Sequence, residues 1–456
     1  MLRRVLIANR GEIAVRIARA CREEGLETVL AVSDADRDSL ATRMVDRVIC
    51  IGPAAAAQSY LDIERLLAAA TIAGCDALHP GYGFVSERPE LPDRCAEEGI
   101  AFVGPTAEAM RRSGDKAMAR ASARALGISV GDGSDVLAGV EEAKDTAERL
   151  GFPVLLKASA GGGGRGMRRV DEPGELAGAF IAASAEARQA FGDGRLFMER
   201  FVTRARHVEV QVLADGVGQV VHLGHRDCTL QRRYQKVVEE APAFDLPDGV
   251  GEQILHAAVA LIGSLAYTGA ATCEFLVDQD RGTWAFLEIN ARLQVEHPVS
   301  ELVTGHDIVR EQLRIAGGAP LSFSLSEVEL SGHAIEARVN TERPEQNFMP
   351  VPGTVTRWQA PSGPGIRIDT ACYEGWSVPP YYDSLLAKLI ASGSNREAAI
   401  DRLRGALADL RVAGVETTAP FVLDVLDHAD VRAGRTHTRW LEETFLPAWT
   451  EKAVAA

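Results

Sequence analysis

Three short stretches of this chain concentrate residue types that could do chemistry. The first begins at Lys157 and contains Gly161, Gly162, Gly163, Gly164, Arg165 and Gly166. Consecutive glycines let a backbone approach an anion closely, and a nest of N–H groups of this kind binds phosphate. No Gly-Lys-Ser/Thr follows and the next residues read as strand, so the loop is not of the P-loop type. Taken alone it suits a flexible hairpin tip equally well; Lys157, closing the preceding strand, favours a lid over a nucleotide. The second stretch is Glu288-Ile-Asn290-Ala-Arg292-Leu-Gln294-Val-Glu296. In an extended chain its polar residues, spaced two apart, share one face, which collects two carboxylates, two amides and a guanidinium. A hard cation such as Mg²⁺ wants oxygens of this kind, and Glu274 on another expected strand adds one more; a solvated strand face is the bland alternative. The third runs from Arg226 to Glu240. Within it Gln231, Arg232, Arg233, Tyr234, Gln235 and Lys236 put three cations and two amides side by side, as a small-anion site would, or as a surface charge run would.

These stretches need elements to hold them. Over the first hundred residues, short apolar runs at 5–8, 28–32, 48–51, 77–78 and 100–103 alternate with helical patterns at 12–24, 63–73 and 91–98. That is the rhythm of parallel βα units, an α/β fold of Rossmann-like kind. The turn after the first strand, Asn9-Arg10-Gly11-Glu12, lacks the dinucleotide glycine fingerprint, so NAD is not supported. A helix at 115–126 opens a second segment that turns α+β from Pro153, with strands at 154–157, 167–170, 196–201, 207–213, 220–223, 273–277 and 284–289. A third begins near 330 with an alternating strand at 334–339 and closes with helices at 397–410 and 420–426.

At about 150 residues per domain, 456 residues suggest three domains. A net charge of −15 argues against a broad nucleic-acid or anionic-membrane footprint. Seven cysteines without a C-x-x-C pair suggest neither zinc nor disulfides, and read as reduced thiols of a cytoplasmic protein. The N-terminal apolar run stops after four residues at Asn9-Arg10, too short for a signal peptide. The stretch 254–272 is interrupted by His256, Gly263, Ser264 and Gly269, and is expected to be a buried helix, not a membrane span. Only six of the 49 cations are lysines: Lys116, Lys144, Lys157, Lys236, Lys388 and Lys452. Where arginine is the default, each lysine invites a reason for a compact ammonium.

At these residues the chain resembles the biotin carboxylase family of ATP-grasp enzymes. The resemblance runs through Ile7 to Ile13, His79-Pro-Gly-Tyr-Gly83, Gly114-Asp-Lys116, the glycine loop, Gln231 to Pro242, Glu288 to Val299 and Pro379-Pro-Tyr-Tyr-Asp383. It implies a three-domain ATP-grasp architecture: a Rossmann-like pre-ATP-grasp domain at 1–114, an ATP-grasp domain at 115–330 with a mobile lid at about 131–203, a C-terminal mixed domain at 331–446, and a tail at 447–456. Carried over residue by residue, Lys116 and Lys157 resemble ATP-phosphate lysines and Gly161 to Gly166 the lid loop. Glu199 and Val202 match the adenine-binding hinge, and His207, Gln231 and Tyr234 the nucleotide site. Glu274, Glu288 and Asn290 match ligands of Mg²⁺ (or Mn²⁺). Lys236, Arg292, Gln294 and Val295 match the bicarbonate pocket, Glu296 the general base, and Arg338 the arginine beside biotin.

The implied activity is ATP-dependent carboxylation of biotin by bicarbonate through carboxyphosphate, the first half-reaction of an acyl-CoA carboxylase. No Ala-Met-Lys-Met motif is present, so the biotin is expected on a separate carrier protein or on a segment absent here. The implied partners are that carrier, a carboxyltransferase and a second copy of the chain. Two departures stand out: Tyr234 where relatives carry histidine or asparagine, and Ala291 where threonine is common. The rival readings are an ATP-grasp ligase for a different acid and a catalytically weak, ATP-binding assembly subunit.

Overall fold

The computed structural model describes residues 2–159 and 166–455, apart from the side chains of 117 and 452–455. Gly161, Gly162, Gly163, Gly164 and Arg165 lie outside the described residues.

Strands β1 (Arg4–Ile7), β2 (Glu27–Ser33), β3 (Arg47–Gly52), β4 (Ala77–His79) and β5 (Ala101–Phe102) form a parallel sheet in the order β3-β2-β1-β4-β5. Parallel strands need crossovers, and the helices Gly11–Glu23, between β1 and β2, and Ile63–Ala73, between β3 and β4, supply two of them. The second is closed at both ends by its own sequence. Asp62 accepts a hydrogen bond from the Arg65 N–H, and Gly74 takes the left-handed conformation that stops the helix.

Next come β6 (Val154–Ala158), β7 (Met167–Val170) and β8 (Leu196–Arg200), an antiparallel sheet in the order β7-β6-β8. The helices Val140–Leu150 and Leu176–Phe191 cover it through Ala143, Ala147, Leu176 and Ala187.

The main sheet contains β9 (Ala205–Asp215), β10 (Val220–Arg232), β11 (Gln235–Ala241), β12 (Thr268–Asp278), β13 (Thr283–Asn290), β14 (His333–Asn340), β15 (Ile366–Thr370) and β16 (Leu385–Gly393). All its pairings are antiparallel, in the order β13-β12-β9-β10-β11-β14-β16-β15. The β11–β14 pairing carries this sheet without a break across residue 330. The alternation of β9 explains its two faces: Val208, Val210 and Val212 enter the apolar core, leaving His207, Glu209 and Gln211 on the opposite side.

Two expectations are corrected here. The stretch 254–272 is not one helix. The helix Val250–Gly263 ends there, Ala266 turns the chain with φ +47, and β12 starts at Thr268. Nor is 288–296 one strand. β13 stops at Asn290, residues 291–296 are irregular, and the helix His297–Thr304 begins immediately after Glu296. The segment expected as a tail is helical over Leu446–Ala455, where Trp449 Nε1 donates to Asp424 Oδ2 at 2.7 Å. No helix among the described residues is long and apolar enough to cross a membrane.

Candidate active site

Strand register assembles the site. Glu288 on β13 stands opposite Glu274 on β12, Glu274 opposite Glu209 on β9, and Glu209 opposite Arg226 on β10. Opposed side chains in neighbouring strands have Cβ atoms roughly 5 Å apart. Three carboxylates in a row would repel, so cations must lie among them. Arg226, fully buried, donates to Glu209 Oε1 at 2.5 Å, Gln211 Oε1 at 2.7 Å, and the hydroxyls of Thr272 and Ser300 at 3.1 Å. Lys236, from β11, places Nζ 2.6 Å from Glu209 Oε2, 2.5 Å from Glu296 Oε1 and 3.4 Å from Glu274 Oε1. Burial works against its charge, but the surrounding carboxylates outweigh burial and hold it well above the ordinary lysine value.

Glu296 has no exposed surface and is clamped from two sides. Lys236 holds one oxygen, and Arg338 Nη2 donates to the other at 2.9 Å while its Nε reaches Glu239 Oε1 at 2.6 Å. Burial alone would raise the Glu296 pKa; Lys236, Arg338 and Arg226 reverse that and hold it well below the usual carboxylate range. Its neighbour Glu239 goes the other way, pushed up to about 7 by burial despite Arg338. Glu336, opposite Glu239 in the register, is fully buried, and neither carboxylate oxygen has a hydrogen-bond partner. Burial raises its pKa well above the ordinary carboxylate value.

Although 291–296 is not a strand, side-chain bonds still gather its residues. Arg292 donates to Gln294 Oε1 at 2.9 Å, to Asn290 Oδ1 at 3.3 Å and to Glu87 Oε2 at 2.8 Å. Asn290 Nδ2 in turn donates to Glu274 Oε1 at 2.8 Å. Ala291 is buried against the core, so the smaller residue at this position leaves the polar cluster unchanged. Glu274, Glu288 and Asn290 bring hard oxygen donors together across β12 and β13, a set that fits Mg²⁺. His207, 3.2 Å from Glu274 Oε2, and Glu209 adjoin them, with ligand atoms of His207, Glu209 and Glu274 all within 4.8 Å of one another. Burial opposes the imidazolium of His207, but Glu274 prevails and the pKa is raised.

A second cluster lies on the small sheet. Lys157 on β6 and Glu199 on β8 meet at 2.5 Å, and Arg120 reaches the other Glu199 oxygen at 2.9 Å. Lys116, the first residue of the helix Lys116–Ala125, lies 2.9 Å from Glu288 Oε2 and links helix to main sheet. Val202 follows β8 and is half-buried. Gln231 is buried opposite Lys236 in the β10–β11 register. Gly166 has φ +75, and a Cβ there would meet that of Ala158 at 2.8 Å. Tyr234 is 63% exposed at the β10–β11 turn with φ +65, and among the described residues hydrogen-bonds none of the other expected site residues.

Several members of the cluster were not expected from sequence. Glu209 had a local signal: His207, Glu209 and Gln211 alternate with valines, the same spacing argument that drew attention to 288–296, while Arg226 opens the third stretch without its role being marked. Glu87 and Glu336 had none, and Glu239, although inside the stretch 226–240, carried no sign of its partner Arg338, because their neighbours come from distant segments.

Comparisons with known proteins converge on these same segments. Residues 1–110 match the family described as "Biotin carboxylase, N-terminal domain", 115–324 "Carbamoyl-phosphate synthase L chain, ATP binding domain", and 336–443 "Biotin carboxylase C-terminal domain". The chain is 45% identical over 443 residues to biotin carboxylase 1 of Bacillus subtilis, covering 97% of this chain and 98% of that one. It superposes on the biotin carboxylase–β-γ-ATP complex of Campylobacter jejuni with a TM-score of 0.91 at 42% identity, covering 97% and 99% of the two chains. With the biotin carboxylase domain dimer of Hydrogenobacter thermophilus 2-oxoglutarate carboxylase, in complex with MgADP, ADP and bicarbonate, the TM-score is 0.89 at 43% identity, covering 97% and 98%.

Proposed function

From the premise that this chain belongs to the biotin carboxylase family, we propose that it carboxylates biotin with bicarbonate at the expense of ATP, the biotin being held by a separate carrier protein. One observation carries the reading. A single buried carboxylate, Glu296, joins Lys236 and Arg338, the cations expected on the bicarbonate and biotin sides.

In the proposed reaction Lys116 and Lys157 hold the nucleotide phosphates, leaving Glu288 and Glu199 as those phosphates arrive. Glu274, Glu288 and Asn290 would hold Mg²⁺, which would supply further neutralisation of charge developing on the phosphoryl oxygens. Arg292, braced by Glu87, and Lys236 bind the bicarbonate anion. Glu296 accepts the bicarbonate proton, and the freed oxygen attacks the γ-phosphorus, releasing ADP and forming carboxyphosphate. Carboxyphosphate yields CO₂ and phosphate; the phosphate takes the biotin N–H proton, and Arg338 stabilises the oxygen of the resulting biotin anion as its nitrogen attacks CO₂.

The resting charge pattern has a catalytic meaning. A carboxylate held far below its ordinary pKa is a weak base. Once bicarbonate draws Lys236 away and biotin engages Arg338, Glu296 loses the two nearest cations and its basicity rises where the proton must move.

The proposed functional units are 1–114, 115–330 with a lid at about 131–203, and 331–446. The proposed partners are a biotin carrier, a carboxyltransferase and a second copy of the chain. All seven cysteines are free and six are buried, which supports a reducing, cytoplasmic setting. The test is ADP release by the purified chain with and without bicarbonate and free biotin. Release that requires both supports the proposal; release indifferent to bicarbonate rejects it.

A further inference from the structure

Among the lysines whose side chains are described, Lys388 is the one with no exposed surface, and no expected motif accounts for it. It sits on β16 directly opposite Arg338 on β14 and opposite Asp369 on β15. Two like charges facing each other across a ladder destabilise a sheet unless each has its own partner. Arg338 has Glu239 and Glu296. Asp369 is already engaged by both Nε and Nη2 of Arg367, at 3.1 and 2.7 Å, and lies 3.8 Å from Lys388. Lys388 turns instead to Glu12 Oε1, 3.0 Å away on the helix Gly11–Glu23, and donates to the carbonyl oxygen of Val295 at 2.8 Å. Glu12 also accepts from the Tyr82 hydroxyl, so the contact reaches the Rossmann-like unit through two segments. Burial penalises the ammonium, but Glu12, Glu336 and Asp369 overcome it and Lys388 is charged.

The Val295 carbonyl is no ordinary acceptor. A peptide group is planar, so the C=O of Val295 and the N–H of Glu296 share one rigid plane. Residues 291–296 belong to no strand or helix, and no ladder fixes that plane. We propose that Lys388 is a positioning residue for the carboxylation step: by holding the Val295–Glu296 peptide to the β14–β16 ladder and to Glu12, it sets the direction from which the Glu296 carboxylate meets bicarbonate. Glu296 is thereby held at both ends, its side chain by Lys236 and Arg338 and its main chain by Lys388. A charged donor on this carbonyl is stronger than a neutral one and suits a loop that must keep its geometry while Lys236 and Arg338 exchange partners.

This inference rests on the proposed function, and the experiment separates the two. Lys388→Met removes the donor at similar length. Because it leaves Glu12 without a cation, it is paired with Glu12→Gln/Lys388→Met, in which neither buried charge remains. Both variants are measured in the full chain for ADP release against bicarbonate and against ATP, and for amide hydrogen exchange across 292–297. A misplacement of about 1 Å at a reacting group costs on the order of 100-fold in rate. The expected result is a fall of about 10- to 100-fold in kcat/KM for bicarbonate, KM for ATP within about twofold of wild type, and faster exchange confined to the loop. Wild-type bicarbonate kinetics in the folded double variant overturns the inference. So does a parallel loss toward ATP and bicarbonate, which marks a merely structural role. If the unmodified chain shows no bicarbonate-dependent ADP release, the proposed function fails; the exchange measurement still decides the positioning, since unchanged protection at 292–297 refutes it whatever the reaction.

Discussion

Replacing Glu296 by glutamine tests the centre of the mechanism, and its cost can be worked from the contacts. The two carboxylate oxygens accept from Lys236 at 2.5 Å and Arg338 at 2.9 Å. A glutamine offers one acceptor and turns an NH₂ toward the other cation, so one charge-assisted hydrogen bond is lost outright. Such a bond contributes about 1.5–3 kcal/mol. Removing one partner of an isolated buried pair costs more, about 3–5 kcal/mol, but here Lys236 keeps Glu209 and Arg338 keeps Glu239. The stability loss should therefore be about 2–3 kcal/mol, and the variant folds. Its sign with pH follows from the depressed pKa: Glu296 stabilises the fold fully above its ordinary value of 4.5 and loses that contribution as pH falls through its folded value. The difference between wild type and variant should accordingly be largest above pH 4.5 and shrink in acid. Loss of a general base costs about 10²- to 10⁴-fold, or roughly 3–5 kcal/mol of barrier. Steady-state ADP release at saturating ATP, bicarbonate and biotin should fall by that factor. ATP affinity measured by calorimetry should stay within about twofold, since Lys116 and Lys157 pair with Glu288 and Glu199 and not with Glu296. A kcat within about threefold of wild type would refute the assignment of the base.

Three further outcomes are expected. Lys116→Arg, Lys157→Arg and Lys236→Arg should each lower kcat by about tenfold or more, most at Lys236, whose three carboxylates leave no room for a wider fork. Lys144→Arg, at an exposed site paired with Glu141, should match wild type in the same assay. Glu87→Ala removes the brace on Arg292 and should raise KM for bicarbonate by about tenfold with KM for ATP unchanged, as read from paired substrate titrations. Glu239, with its pKa raised from 4.5 to about 7, binds more protons folded than unfolded between those values, so it costs stability as pH rises through that window. Thermal melts of Glu239→Gln should show a flatter pH dependence from about pH 4.5 to 7 than wild type; an unchanged slope would exclude Glu239 as its source.

The local part of the site was legible because it depends on neighbours in sequence. The helix Ile63–Ala73 coincides with its expected span, and the strands of the N-terminal sheet fall where apolar runs alternate with helical patterns. The glycine stretch, the Lys236 segment and the polar residues from Glu288 to Glu296 stand out by type and spacing alone. The period-two reading of 288–296 failed beyond Asn290, since periodicity does not show where a strand lets go of its ladder. The helix reading of 254–272 failed for a similar reason: apolarity continues through the turn at Ala266 into a buried strand.

By itself, then, the amino-acid order determined which groups could take part: a scarcity of lysines, three of them in motifs, and a concentration of carboxylates, amides and arginines. Only the tertiary structure decided which carboxylate meets which cation. Glu209 meets Arg226 through strand register, Arg292 meets Glu87 from the first unit, and Lys388 meets Val295 from 93 positions away. The physical reason is that a pKa or a pairing is set by the few ångströms around a group. In this fold those neighbours are delivered by an eight-stranded sheet whose adjacent strands are far apart in the chain.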